Sequence, residues 1–218
     1  VTHTFTAEGP FDELSVAVEG DVEMQDMSGV VSGAIERFPP SMFLRDTPLT
    51  QPDAAIAAFA ESARANAKTG ETLELMHTLM NDLNREITFD TSPTQAATTA
   101  AEAFALRRGV CQDLTHVYIA SARLLGIPAR YIGGHFLRAD GVTAQEAGHA
   151  WAEVHIEGLG WVGFDPTNKI STTDAHVRVA VGLDYLGASP VRGTRFGGTG
   201  ETLTVAINVE QAQHQSQA

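Results

Sequence analysis

From Pro52 to Gly126 the apolar residues of this chain recur at helical spacing, and the segments that follow Ala129 alternate. A chain that gathers its helices ahead of most of its strands does not form the alternating strand–helix units of a parallel sheet, so this order predicts an α+β fold. Four helical segments come in succession. The first starts at Pro52 and Asp53 and stops at Gly70. The second sets Met76, Leu79, Met80, Leu83 and Ile87 on one face, so its methionines read as core filling. A third, rich in alanine, is expected over 95–107 with its end at Gly109. The fourth follows Cys111. Leu114, Tyr118, Ser121 and Leu125 fall in register there, with Val117 and Leu124 beside them, and Gly126 and Pro128 close it. Strands are expected in "ARYIGGHFLRA", "HAWAEVHIEGLGWVGFDPT", "HVRVAVGLDY" and "ETLTVAINVEQ". One alternating stretch, "ELSVAVEGDVEM", leads the chain, with Leu14, Val16 and Val18 on one side. No internal repeat or long linker interrupts the pattern.

A length of 218 residues is enough to bury a core without staples, and a single cysteine excludes an internal disulfide framework. Fourteen basic residues against 27 acidic give a net charge of −13, which repels phosphate backbones and anionic lipid. Nucleic acid and membrane surfaces are therefore not expected partners. No apolar run is long enough to cross a bilayer and no signal peptide leads the chain, so a cytoplasmic location is expected, unless processing or trimming ahead of Val1 removed such a signal.

The one cysteine, Cys111, sits between a glycine-led turn and a helix. A helix N-terminus favours an anion, and the thiolate is the nucleophilic form of cysteine. A buried small apolar residue is the plainer alternative. His149 opens "HAWAEVHI", where His149, Trp151, Glu153 and His155 share one strand face and Ala150, Ala152, Val154 and Ile156 the other. Here a surface strand with solvated histidines is the alternative. Asp165 lies sixteen positions on (165 − 149), at the end of "GLGWVGFD". A hairpin folded symmetrically about Glu157 would set His149 and Asp165 opposite each other, where a carboxylate orients an imidazole. Nucleophile, base and orienter on a helix start and two strands would form a Cys-His-Asp triad.

The segments "GVCQDLTHVYIASARLLGIPARYIGG", "GHAWAEVHIEGLGWVGFDPTN" and "HVRVAVGLDY…PVRG" together resemble the transglutaminase-like superfamily in its bacterial branch. The resemblance runs from about Leu73 to the C-terminus. It implies a papain-like core of helices packed on an antiparallel sheet, here a catalytic domain over 48–210. Residues 1–35 would be the last strands of a β-rich region, and 211–218 a polar tail. It also implies that Cys111 is the nucleophile, His149 the general base and Asp165 its orienter. Trp151 matches the tryptophan of the His-Ala-Trp motif and Trp161 a second one; with Gln112, which adjoins the thiol, they are the expected substrate-binding residues. Bacterial relatives often read Gly-Arg-Asp-Tyr where this chain has Gly182, Leu183, Asp184 and Tyr185, and the upstream tryptophan of animal transglutaminases has no equivalent. The Cys111 N–H is the expected first oxyanion donor.

These residues lead to a thiol-dependent acyl transfer through a thioester, on a peptide or protein amide, with hydrolysis favoured over cross-linking and with no cofactor or metal. No aspartate-rich loop suits calcium. The alternatives are a peptide-binding module that has kept the fold, and a metal site made by Cys111, His149 and Asp165 with His155 or His135, although no CxxC or HExxH spacing accompanies them. Asp113, in the first turn after the cysteine, suits the helix dipole, and His116 reads as a packing histidine. The loop 139–148 reads as a solvated connection. The oligomeric state is left open.

Overall fold

The computed structural model describes residues 4–10, 12–92, 94–145, 147–194, 196–197, 200 and 202–212. Residues 213–218 of the expected tail lie outside them. Helix α1 (Ala54–Asn66) starts where Asp53 accepts a hydrogen bond from the Ile56 amide at 2.8 Å, and it buries Ile56, Ala60 and Ala63. Helix α2 (Thr72–Glu86) buries Leu75, Met76, Leu79, Met80 and Leu83, so its methionines do fill the core. Helix α3 (Ala100–Leu106) is shorter than the expected 95–107. A capping box sets its start: the Thr99 hydroxyl accepts from the Glu102 amide, and the Glu102 carboxylate from the Thr99 amide. Its end is Arg107, in the left-handed region at φ 56, rather than Gly109. Gly109 is needed for another reason: a Cβ there would stand 2.7 Å from the Asp113 carboxylate. Arg108–Gly109 (β2) pairs in parallel with Thr88–Phe89 (β1).

Helix α4 (Cys111–Leu124) departs from the amphipathic expectation, since every residue from Asp113 to Arg123 is buried. It lies between the other helices and the sheet, so it has no solvent face over that span. Arg123 is accommodated because its guanidinium donates to the carbonyls of Phe43, Ala129 and Leu183 and to the Thr50 hydroxyl. Only the end, at Leu124, returns to solvent.

The main sheet is antiparallel throughout and has the order β7-β6-β5-β3-β8. Its strands are Ala129–Phe136 (β3), His149–Ile156 (β5), Gly160–Asp165 (β6), Ile170–Ser171 (β7) and His176–Gly182 (β8). Ala150, Ala152, Val154 and Ile156 point from β5 into the core shared with α4, and two alanines let the helix come close. The other face carries an ionic layer. Arg130 forks onto Glu36 at 2.7 and 2.9 Å and donates through Nε to Glu153 at 2.7 Å, while Arg178 also holds Glu153. The Trp161 ring lies 3.8 Å from the Arg130 guanidinium carbon. Gly134 on β3 makes this layer closable, because a Cβ there would fall 2.1 Å from the Val177 carbonyl and 2.6 Å from the Trp151 ring. Gly134→Ala is therefore expected to cost about 3 kcal/mol, read as a lowered urea midpoint, since backbone and a buried indole cannot both move aside.

The chain ends differ from the sequence expectation. Of "ETLTVAINVEQ", Ile207–Asn208 (β9) forms a ladder, with Ala144–Gln145 (β4); Leu203 and Val205 are exposed. Residues 12–26 carry the alternation of a strand without any ladder among the described residues, and Leu14, Val16 and Val18 are exposed. The β6 edge is met instead by Val30, which bridges Val162. A short helix, Tyr185–Ala188 (α5), follows β8 and is capped by Asp184.

Candidate active site

Cys111 is the first residue of α4 and is half-buried. The turn that delivers it is held by Asp113, whose Oδ2 accepts from the Val110 amide at 2.8 Å and the Thr94 hydroxyl at 2.7 Å. Burial pushes the Asp113 carboxyl up despite these bonds, and its Oδ1 is buried without a partner. This fits the structural role expected of Asp113. The Gln112 amide donates to the Ala96 carbonyl at 3.1 Å, which ties the residue next to the sulfur to the segment before α3. His116 is a packing histidine: the Tyr185 amide donates to its Nε2, the ring lies against Tyr131, and burial lowers its pKa to about 4.

His149 opens β5 and Asp165 ends β6. Their pairing is not the symmetric one about Glu157: Ala152 stands opposite Phe164, so the hairpin centres on Gly158 and Asp165 faces Trp151. His149 is therefore a diagonal neighbour of Asp165. A displacement of two positions preserves the face, and the longer diagonal remains within reach of an imidazole. His149 Nε2 lies 2.6 Å from Asp165 Oδ2. Asp165 is fully buried, yet its Oδ1 also accepts from the amides of Thr167 and Asn168 and its Oδ2 from the Asn168 side chain and from His176.

The electrostatics follow from these contacts. Burial favours the neutral carboxyl, but the bonds from His149 and His176 prevail and hold Asp165 well below the usual carboxylate range. Burial likewise disfavours a charged His149. The Asp165 hydrogen bond and the influence of the Cys111 side chain, with the charges of both groups, outweigh it and raise the imidazole to about 10. His149 is thus favoured as a protonated ring at neutral pH, paired with the Asp165 carboxylate.

The remaining expected residues fall in different places. Trp151 is 2% exposed and packs edge-on against His176 at 5.2 Å, beside the histidine–aspartate pair. Trp161 lies at the other end of the hairpin, under Arg130 and against His155 and Phe43. The residue that sequence reasoning passed over is His176, the first of β8. Its signal was present, since it heads an alternating strand in a motif singled out as a whole. The ligand atoms of His149, Asp165 and His176 lie within 4.8 Å of one another, a spacing compatible with a metal ion, and neither His155 nor His135 belongs to that cluster.

With this arrangement established, the chain can be placed among known proteins. The sequence profile of the transglutaminase-like superfamily matches residues 57–166, and the chain belongs to that superfamily. An uncharacterized protein of Mycobacterium leprae is 27% identical over 223 residues, covering 96% of this chain and 77% of that protein. One from Mycobacterium tuberculosis is 30% identical over 130 residues, covering 56% of this chain and 41% of its own length. Among solved structures, a candidate cysteine protease from Cytophaga hutchinsonii superposes with a TM-score of 0.62 at 22% identity, over 87% of this chain and 63% of that one. The chain thus spans less than two thirds of the last two proteins. The fold is the papain-like, transglutaminase-like core anticipated from the motifs.

Proposed function

We propose that this chain is a cysteine-dependent amide hydrolase or acyl transferase in which Cys111, His149 and Asp165 act as a triad, with hydrolysis favoured. One observation carries the reading: Asp165 engages His149 through Nε2 at 2.6 Å, which leaves Nδ1 as the ring nitrogen for the sulfur, and Cys111 is among the groups that raise the imidazole's pKa. The carboxylate fixes the ring and stabilises its charge, and in this reading the protonated Nδ1 serves the sulfur. The Cys111 thiolate attacks the carbonyl carbon of an amide. The C–N bond breaks as Nδ1 gives its proton to the leaving amine, and a thioester remains on the sulfur. Water then attacks the thioester carbon and gives one proton to Nδ1; the C–S bond breaks, releasing a carboxylic acid and restoring the Cys111 thiolate beside the protonated ring. A primary amine in place of water forms a new amide. Hydrolysis is favoured because Cys111 is half-buried rather than enclosed, which does not set the residue apart from water. The relative from C. hutchinsonii, described as a candidate cysteine protease, agrees with that preference.

The test is a panel of peptides bearing glutamine, isopeptide and γ-glutamyl bonds, incubated with and without an added amine. Release of ammonia or free amine is expected, and it should fall about a thousandfold or more in Cys111→Ala. A cross-link with the added amine would make the chain a transferase. Iodoacetamide labelling of Cys111 at pH 6 supplies the second arm. A sulfur no more reactive there than free cysteine, with no turnover of any peptide, would leave a binding module on this fold.

A further inference from the structure

Asp165 is approached by a second histidine that the mechanism above does not use. His176 is 3% exposed and brings Nε2 to 3.2 Å from Asp165 Oδ2. Its other ring nitrogen decides what that contact is. The backbone amide of Thr173 donates to His176 Nδ1 at 3.1 Å. An amide N–H only donates, so Nδ1 holds a lone pair and the ring proton sits on Nε2, aimed at the carboxylate. A metal bound at Nε2 requires the reverse arrangement, with the proton on Nδ1, where the Thr173 amide would oppose it. The His149–Asp165–His176 cluster is thus built as donors converging on one acceptor rather than as a ligand set.

The ring is also prevented from turning. Phe136 lies across it at 4.7 Å and Trp151 meets it edge-on at 5.2 Å. The turn that supplies the donor is closed on itself, since the His176 amide donates back to the Thr173 carbonyl at 3.1 Å. The titratable groups facing His176 are Asp165 on β6 and His149 on β5, while Arg178, two residues along β8, is engaged by Glu153.

We propose that His176 is a positioning residue, locked as an Nε2–H donor by the Thr173 amide, which helps hold the plane of the Asp165 carboxylate with Oδ2 presented to His149. This rests on the Cys-His-Asp reading above. Asp165 Oδ2 receives His149 at 2.6 Å, Asn168 at 2.7 Å and His176 at 3.2 Å. Three donors exceed the two lone pairs of one oxygen, and His176 makes the longest bond. Its effect is therefore moderate, on the order of tenfold in rate, rather than the thousandfold expected of a triad member.

The experiment exploits two amides that imitate different ring nitrogens. Gln places its NH2 near Nε2 and keeps the donor, whereas Asn places its NH2 near Nδ1 and loses it. The rate of Cys111 alkylation by iodoacetamide is measured from pH 5 to 9, below the thermal midpoint of every variant. His176→Gln is expected to retain the wild-type profile within about twofold, while His176→Asn and His176→Phe lose about tenfold at pH 6 and regain rate at higher pH. Equal profiles for the Gln and Asn variants would overturn the proposal, as would wild-type profiles for Asn and Phe. Long-range 1H–15N NMR on the unaltered protein gives a check that needs no variant: His176 is expected with its proton on Nε2, and a proton on Nδ1 would sink the idea. If wild-type Cys111 is itself no more reactive than free cysteine, the triad reading fails. A reactive Cys111 indifferent to all three substitutions removes only the role of His176.

Discussion

Asp165→Ala is expected to cost both turnover and stability, and to flatten the dependence of stability on pH. The rate against any amide the wild type cleaves should fall by about 10³–10⁴-fold, the range seen when a triad carboxylate is removed and the imidazole loses its orientation. Stability should fall by about 2–4 kcal/mol, because the buried donors on His149, His176, Asn168 and the Thr167 amide lose their shared acceptor. The pH dependence has a definite sign. His149 is raised from 6.5 to about 10 in the folded state, so its contribution is complete below pH 6.5 and is lost as pH rises through 10. Asp165 is depressed, so its contribution is present above the ordinary carboxylate range and is lost in acid. Wild-type stability should therefore decline as pH rises from 6.5 through 10, and the Asp165→Ala decline should be shallower there, because the largest favourable cause of the His149 shift is gone. Denaturant melts at four pH values measure it. Parallel curves for the two proteins would show that the pair is not ionised as described.

Arg130→Ala should be the most destabilising change outside the site. The Arg130 and Glu153 side chains are each 2% exposed, and Arg130 alone joins Glu153 to Glu36. Truncation leaves Glu153 buried with Arg178 only, leaves Glu36 unpaired, and opens space beneath Trp161. Breaking one partner out of a buried ionic group costs about 3–5 kcal/mol, which for a chain of this size lowers the thermal midpoint by roughly 10 °C. Glu36→Gln should cost under about 1 kcal/mol, because Glu36 is 37% exposed and the pair is screened on that side. Equal effects for the two substitutions would mean that the network contributes through charge alone and that the packing of Arg130 on the indole adds nothing.

The sequence carried the core elements and the nearness of His149 to Asp165 better than the periphery, for a physical reason. Helical and strand periods record which residues face the core, so α2 and the β5–β6 hairpin were legible from Leu79 and the alternation after His149, and α1 from its start signal at Asp53. Face parity survived an error in register because a displacement of two positions restores the same side, which kept Asp165 on the His149 face although the turn centre moved to Gly158. Alternation at Leu14, Val16 and Val18 says only that a segment suits a sheet, and pairing depends on a neighbour the pattern does not contain. The end expected of α3 at Gly109 was misplaced because Arg107 adopts the left-handed conformation usually left to glycine. His176 was missed because its meaning lies in the Thr173 amide and in Asp165, a turn and a strand away, and no spacing rule joins the three.

Enclosure of α4 from Asp113 to Arg123 has a kinetic corollary. Cys111 stands at the start of this enclosed helix, and His149 at the start of the middle strand of the sheet it packs against. If the two act as proposed, admission of an acyl chain would fall to the surrounding connections, and the spacing between thiol and imidazole would be held by the packed core.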